Sequence, residues 1–173
     1  TPSDPIDKTV LINTDPKFYG GFQNTIVYKA FSIDLLFQFV KQIGNDWTQL
    51  GSTTTAGKLF SNASTSLIDR WQKPDDKTSH QMFSIRKASN AAAYATQSDL
   101  MYTDASYIRL KNVSISWRLP ERWGKVLHLN GMDLFLRGQN LLTITKYNGL
   151  DAETKGLGLP PLRIMTVGAK LTL

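Results

Sequence analysis

SYIRLKNVSISWRLPERWGKVLHLNGMDLFLRGQNLLTITKYNGL, residues 106–150, is the stretch on which the reading of this chain turns. From residue 112 to 119 polar and apolar residues alternate without a break. Val113, Ile115, Trp117 and Leu119 fall on one face, and Asn112, Ser114, Ser116 and Arg118 on the other. A period of two is that of a strand with a different environment on each side. Ile108 and Leu110 stand out of phase with Val113 and Ile115, which predicts a bulge, or an exit from a membrane, near Lys111. The joint PERWGKV that follows suits one helical turn with Pro120 at its first position. A second run then sets Met132, Leu134 and Leu136 opposite Asp133, Arg137 and Gln139, and its alternation fails over residues 140–142.

The same pattern recurs on both sides of this stretch. Downstream, Met165, Val167, Ala169, Leu171 and Leu173 share a face, with Thr166, Gly168, Lys170 and Thr172 behind them. Upstream, only Lys29 and Ala30 separate two strand-like runs, so a two-residue hairpin is the natural joint and Tyr28 faces Phe31. That register puts Phe22, Ile26, Ile33, Leu35, Phe37 and Phe39 on one apolar surface, with Gln23, Thr25, Ser32, Asp34 and Gln38 on the other. Five strands are predicted, over residues 18–28, 31–43, 107–119, 129–145 and 162–173. Residues 1–17, rich in Pro, Asp and Thr, read as a loop with a short extended piece at 9–12.

An apolar face of this kind meets either the dry core of a soluble sandwich or the lipid around an outer-membrane barrel, whose strands need about 9–11 residues to cross. Periodicity leaves both open. The joints do not treat the two ends alike. Those at 29–30 and after Pro120 are short and fall on one side, whereas the connections 44–106 and 146–161 are long and fall on the other. That asymmetry belongs to bacterial outer-membrane barrels, and since the smallest of these has eight strands, five strands imply part of a larger one. A connection as long as 44–106 is expected to carry structure of its own, with helical pieces at 62–72 and 87–95.

Composition narrows the function classes. No run of about 18 apolar residues suits a membrane-crossing helix, and no basic stretch followed by an apolar one marks a signal peptide. The chain begins TPSDP, as a processed chain or a piece of one would. The absence of cysteine removes disulfides and thiolate metal sites. The net charge is +6, yet over residues 44–106 six basic residues balance six acidic ones. No basic stripe with interleaved aromatics forms, so nucleic acid is not an expected partner.

Three segments carry a specific resemblance: DPKFYGGFQNTIVYKAFSIDLLFQF (15–39), DASYIRLKNVSISWRLP (104–120) and LRGQNLLTITKYNGLDAE (136–153). They resemble the C-terminal part of the SusC/RagA family of TonB-dependent outer-membrane importers of glycans and peptides. LIDRW (67–71) also resembles that family's loop motif ahead of the SYIRLKN strand. The resemblance implies an all-β fold: the last five or so strands of a transmembrane antiparallel barrel of about 22 strands with a plugged lumen, long extracellular loops, and a plug domain outside this chain. The partners it implies are the rest of the barrel and its plug, a SusD-like surface lipoprotein over the barrel mouth, the TonB system acting through the absent N-terminal part, and outer-membrane lipid. Family members commonly end in an aromatic residue, whereas Leu173 stands last here. An alternative with the same barrel is a structural or docking platform in a larger outer-membrane complex.

Candidate site residues follow from these faces. Asp133, Arg137 and Gln139 are expected to face the lumen, there to touch solute or plug, or to pair with neighbouring strands. Trp47, Trp71, Tyr94 and Tyr102 in the long loop are candidates for ligand or partner contact, since such rings stack on sugars and anchor interfaces. They serve equally to pack the loop on itself. Trp117 and Trp123 suit an interfacial girdle. His80, after Asp75 and Asp76, and the distant His128 lack the ligand spacing of zinc or calcium, so no metal is expected. With no GxSxG elbow or other positioned nucleophile, neither an enzymatic site nor a cofactor is expected.

Overall fold

A computed structural model describes residues 6–49, 62, 65–78, 80–83, 94–120, 123, 129–156 and 158–172. Its strands are β1 (Phe18–Tyr28), β2 (Phe31–Lys41), β3 (Ile43–Asn45), β4 (Tyr102–Asp104), β5 (Tyr107–Arg118), β6 (Gly131–Thr145) and β7 (Ile164–Thr172). The chain divides into two units. One comprises Pro16–Lys41, Ser106–Thr145 and Pro160–Leu173, and the other Thr1–Asp15, Gln42–Ala105 and Lys146–Leu159.

The first unit is a five-stranded sheet in the order β1-β2-β5-β6-β7, antiparallel at every pairing. Tyr28 pairs with Phe31 across a two-residue turn, where Lys29 takes the left-handed conformation at φ 54°. From that turn the register carries the apolar set across the sheet. Phe31 lies opposite Trp117, Ile33 opposite Ile115 and Leu35 opposite Val113, and Leu134 and Leu136 continue the rows to Ala169 and Val167. The Phe31 and Trp117 rings stack at 5.9 Å with 12° between their planes.

Within this unit the apolar face is uncovered. Ile115 and Leu136 are each 37% exposed, and Val167 is 80% exposed. A sandwich needs a second sheet over that face, and this unit is a single layer. Among the described residues of this unit no second layer covers that face, which is compatible with the lipid environment that periodicity allowed. Among the described residues no helix is long and apolar enough to cross a membrane.

The expected phase break lies at Lys111. Leu36 faces Asn112 while the next residue, Phe37, faces Leu110, so Lys111 is the extra residue of a β-bulge. On the other side of β5 the ladder resumes from Asn112–Gln139 to Leu110–Leu142, leaving Asn140 and Leu141 opposite Lys111. Asn140 is left-handed at φ 53°. The Leu141 side chain then fills the space that a side chain on Gly138 would need, 2.5 Å from the place of its Cβ, beside Val113. The failed alternation over 140–142 is this local reversal.

The second unit is built on the short ladder β3–β4. The strand expected over 31–43 stops at Lys41, because the buried Gln42 side chain donates to the carbonyl of Ala152 (2.7 Å) and, at 3.4 Å, to that of Ala105. The Ala105 N–H donates back to the Gln42 carbonyl (3.0 Å). Leu67, Met101, Ala105, Tyr147 and Ala152 are buried in this unit.

The helix expected at 62–72 is, among the described residues, only a 3-10 turn at Thr65–Ile68. Beyond it Arg70 bridges to His80 and the Trp71 N–H donates to the His80 carbonyl (3.0 Å), which draws the chain into an extended path. Of the helical piece expected at 87–95 only Tyr94 and Ala95 are described, and they are helical. In the joint after β5 the Trp123 N–H donates to the Pro120 carbonyl (3.0 Å), and the rest of that predicted turn, with His128, lies outside the described residues.

Candidate functional site

The polar face of the five-stranded sheet follows from the same register. Asp34 pairs with Ser114 and Ser114 with Arg137, while Arg118 pairs with Asp133 and Asp133 with Lys170. Of the three residues expected to face a lumen, the pairings set Asp133, Arg137 and Gln139 on this one face, with Gln139 opposite Asn112. The face is concave towards the short-hairpin end. Side chains from β2, β5, β6 and β7, together with the β1–β2 turn, line a depression of about 430 Å³.

Its charges are four cations, Lys29, Arg118, Arg137 and Lys170, and two carboxylates, Asp34 and Asp133. Both carboxylates are engaged. The Thr25 hydroxyl donates to Asp34 Oδ1 (2.6 Å), and Arg118 Nε donates to Asp133 Oδ1 (3.1 Å). The Arg137 guanidinium lies 4.6 Å from the centre of the Phe135 ring, a cation–π geometry. Phe135 itself rests on the backbone of Gly168 across the β6–β7 ladder.

Alternation in the sequence does not single out Phe135, an aromatic on the polar face. Two features could have found it: it shares the parity of Asp133 and Arg137, and a glycine stands opposite. Alternation also passed over Arg109, which is 2% exposed and donates from Nε to Thr143 Oγ1 (3.0 Å).

The loop aromatics are placed differently from one another. Trp47 is half-buried, its Cδ1 2.5 Å from where a side chain on Gly149 would start, against the same glycine as the Tyr147 ring. The Tyr147 hydroxyl donates to the Asn45 carbonyl (2.8 Å). Burial pushes the Tyr147 phenol above its ordinary pKa; the Trp47 indole opposes that shift and the Asp46 carboxylate adds to it. Tyr102 pairs with Asn45 in β3–β4 and is 40% exposed. Trp71 and Tyr94 are half-buried. Among the described residues no ring contact joins these four.

No protein-family model matches the chain. Curated relatives do. TonB-dependent receptor P3 of Formosa agariphila is 29% identical over 147 residues, which cover 85% of this chain and 14% of that protein. TonB-dependent receptor P39 of the same bacterium is 24% identical over 160 residues, covering 90% of this chain and 15% of the relative. The chain therefore spans about one seventh of the length of the relatives it matches. Among solved structures, the RagAB peptide importer in its open-open state matches with a TM-score of 0.72 at 23% identity, over 92% of this chain and 17% of that one. The closed-closed state matches with a TM-score of 0.69 at 23% identity, over 91% and 17%. With its two-faced antiparallel sheet, the chain is similar in sequence to a portion of TonB-dependent receptors and in fold to the matching portion of an outer-membrane β-barrel.

Proposed function

We propose that this chain is the C-terminal part of the barrel wall of a TonB-dependent importer of glycans or peptides. The observation that carries the reading is the five-stranded sheet with one bare apolar face and one concave charged face. A wall between lipid and a wet lumen needs that division, and the full-length relatives are TonB-dependent receptors. In the whole protein about 22 strands enclose a plug, and TonB acts through a part that this chain lacks.

A SusD-like surface lipoprotein is the proposed partner at the loop end. Of the four loop aromatics, Tyr102 is the one proposed to touch it, being the most open of them. Trp47 is assigned instead to holding the loops against Gly149.

Purification of the full native protein in mild detergent, with identification of what accompanies it, tests this function. A chain on the order of 100 kDa, as a barrel of about 22 strands with its plug requires, arriving with a surface lipoprotein, supports it. So does uptake of a labelled glycan or peptide that stops when the TonB-contact segment is deleted. A protein soluble without detergent would overturn the barrel. Uptake indifferent to that deletion would favour a docking platform instead.

A further inference from the structure

We infer that Asn148 is a site of spontaneous covalent modification: its side-chain amide closes onto the Gly149 nitrogen, and the chain passes through a succinimide to aspartate and isoaspartate. The site lies in the loop unit, and nothing in it depends on the barrel reading above.

The dipeptide sets the chemistry. The Gly149 backbone nitrogen gives up its proton to solvent and attacks Asn148 Cγ. A C–N bond forms, the bond to the side-chain nitrogen breaks, and ammonia leaves with a proton taken from water. Water then adds to one of the two ring carbonyls. Opening at one yields aspartate and at the other isoaspartate, in which the main chain runs through Cβ; nothing is oxidised or reduced. A Cβ on the following residue crowds the attack, and glycine has none. The sequence holds two such pairs, Asn130–Gly131 and Asn148–Gly149.

The fold treats the two pairs differently. β6 ends at Thr145, and Asn148 is exposed in the connection beyond it, outside any strand. Among the described residues no hydrogen bond holds the Asn148 amide or the Gly149 N–H. The nucleophile is therefore unprotected and the side chain is free to turn towards it. At the other pair the Asn130 N–H donates to the Thr172 carbonyl (2.8 Å), and Gly131 opens β6, paired with Thr172. A strand carries its side chains roughly perpendicular to the sheet, away from the next peptide nitrogen.

Packing also keeps the labile pair in place. A Cβ on Gly149 would stand 2.5 Å from Trp47 Cδ1 and 2.6 Å from Tyr147 Cζ, so any other residue there displaces a ring. The glycine that this packing requires is the one that makes Asn148 reactive. Isoaspartate then lengthens the main chain by one carbon between Gly149 and Tyr147, whose hydroxyl is tied to the Asn45 carbonyl (2.8 Å).

The test holds the full-length protein in mild detergent, warm and at mildly alkaline pH, and follows its proteolytic peptides by mass spectrometry. An isoaspartate-specific methyltransferase supplies a label. The peptide carrying Asn148 should lose its amide progressively and take the label, faster as pH rises, while the peptide carrying Asn130 keeps its amide. Asn148→Gln should abolish the label on its peptide. Should that variant fail to fold, the parent protein unfolded in guanidinium serves instead, and there Asn130 should convert as readily as Asn148. An Asn148 peptide that stays intact in the native protein but converts in the unfolded one overturns the site. So does equal loss at Asn130 and Asn148 in the native protein, or loss at Asn148 without isoaspartate, which would mean direct hydrolysis rather than ring closure.

Discussion

The Phe135 ring lies across the backbone of Gly168, its Cε atoms 2.9 and 3.0 Å from where a side chain on that glycine would begin. The ring sits on the polar face of the sheet and carries the Arg137 guanidinium above it, so the glycine sets the height of a cation. In the full-length protein Gly168→Ala should cost about 1–3 kcal/mol, as overpacking does. Combining it with Phe135→Leu should recover most of that loss. Unfolding in guanidinium from detergent, followed by heat-dependent migration, would measure both. Equal midpoints for Gly168→Ala and the parent would dismiss the contact.

Val167 tests the lipid face. It is 80% exposed in this chain and sits mid-strand in β7, opposite Leu136. Facing lipid, Val167→Arg should destabilise the barrel by about 2–4 kcal/mol, the cost of a cation near the bilayer midplane. The preceding residue, Thr166, pairs with Arg137 on the other face, and Thr166→Gln should cost less than about 0.5 kcal/mol, as surface changes usually do. Equal effects at the two positions would mean that neither face is lipid.

Gln42 joins three segments of the loop unit through one buried amide. Gln42→Leu leaves the Ala152 carbonyl without its side-chain donor, a loss of about 1–3 kcal/mol. Faster exchange of backbone amides in the unit that holds residues 146–159 should follow, with the five-stranded sheet unaffected. Spread of the effect into β5 and β6 would contradict this division.

Tyr147 gives the loop unit a pH limit. Its phenol is neutral when buried, and its raised pKa means that the unfolded chain ionises first as pH rises. The stabilisation is complete below about pH 10, the ordinary tyrosine value, and is lost as pH climbs through the folded pKa. Tyrosinate absorbance of the parent minus that of Tyr147→Phe should show one group titrating above pH 10. A difference curve centred at or below 10 would refute the burial.

The sheet was legible where side chains report their own surroundings. The alternation over 112–119 predicts the β5 faces, and the slip at Leu110 predicts the bulge at Lys111. What stayed hidden depends on distant or backbone facts. β2 ends at Lys41 because Gln42 bonds to Ala152, 110 residues further on, and no local window contains both. Alternation breaks at Asn140 because φ turns positive there, a state that a polar residue in a strand only hints at. Phe135 was missed for a related reason: its partner is the absence of a side chain on Gly168.

The meander has two outer strands, β1 and β7, each paired on one side only among the described residues. Eleven residues along one margin and nine along the other therefore offer a row of amides and carbonyls seeking a ladder. Within a closed wall those rows are consumed by the adjoining strands. Cut from that wall and placed in water, the same margins become templates, and copies of this piece would zip to one another edge to edge before any could find its native neighbour. The two margins that a continuous wall would join are thus the ones that would expose the segment to aggregation outside it.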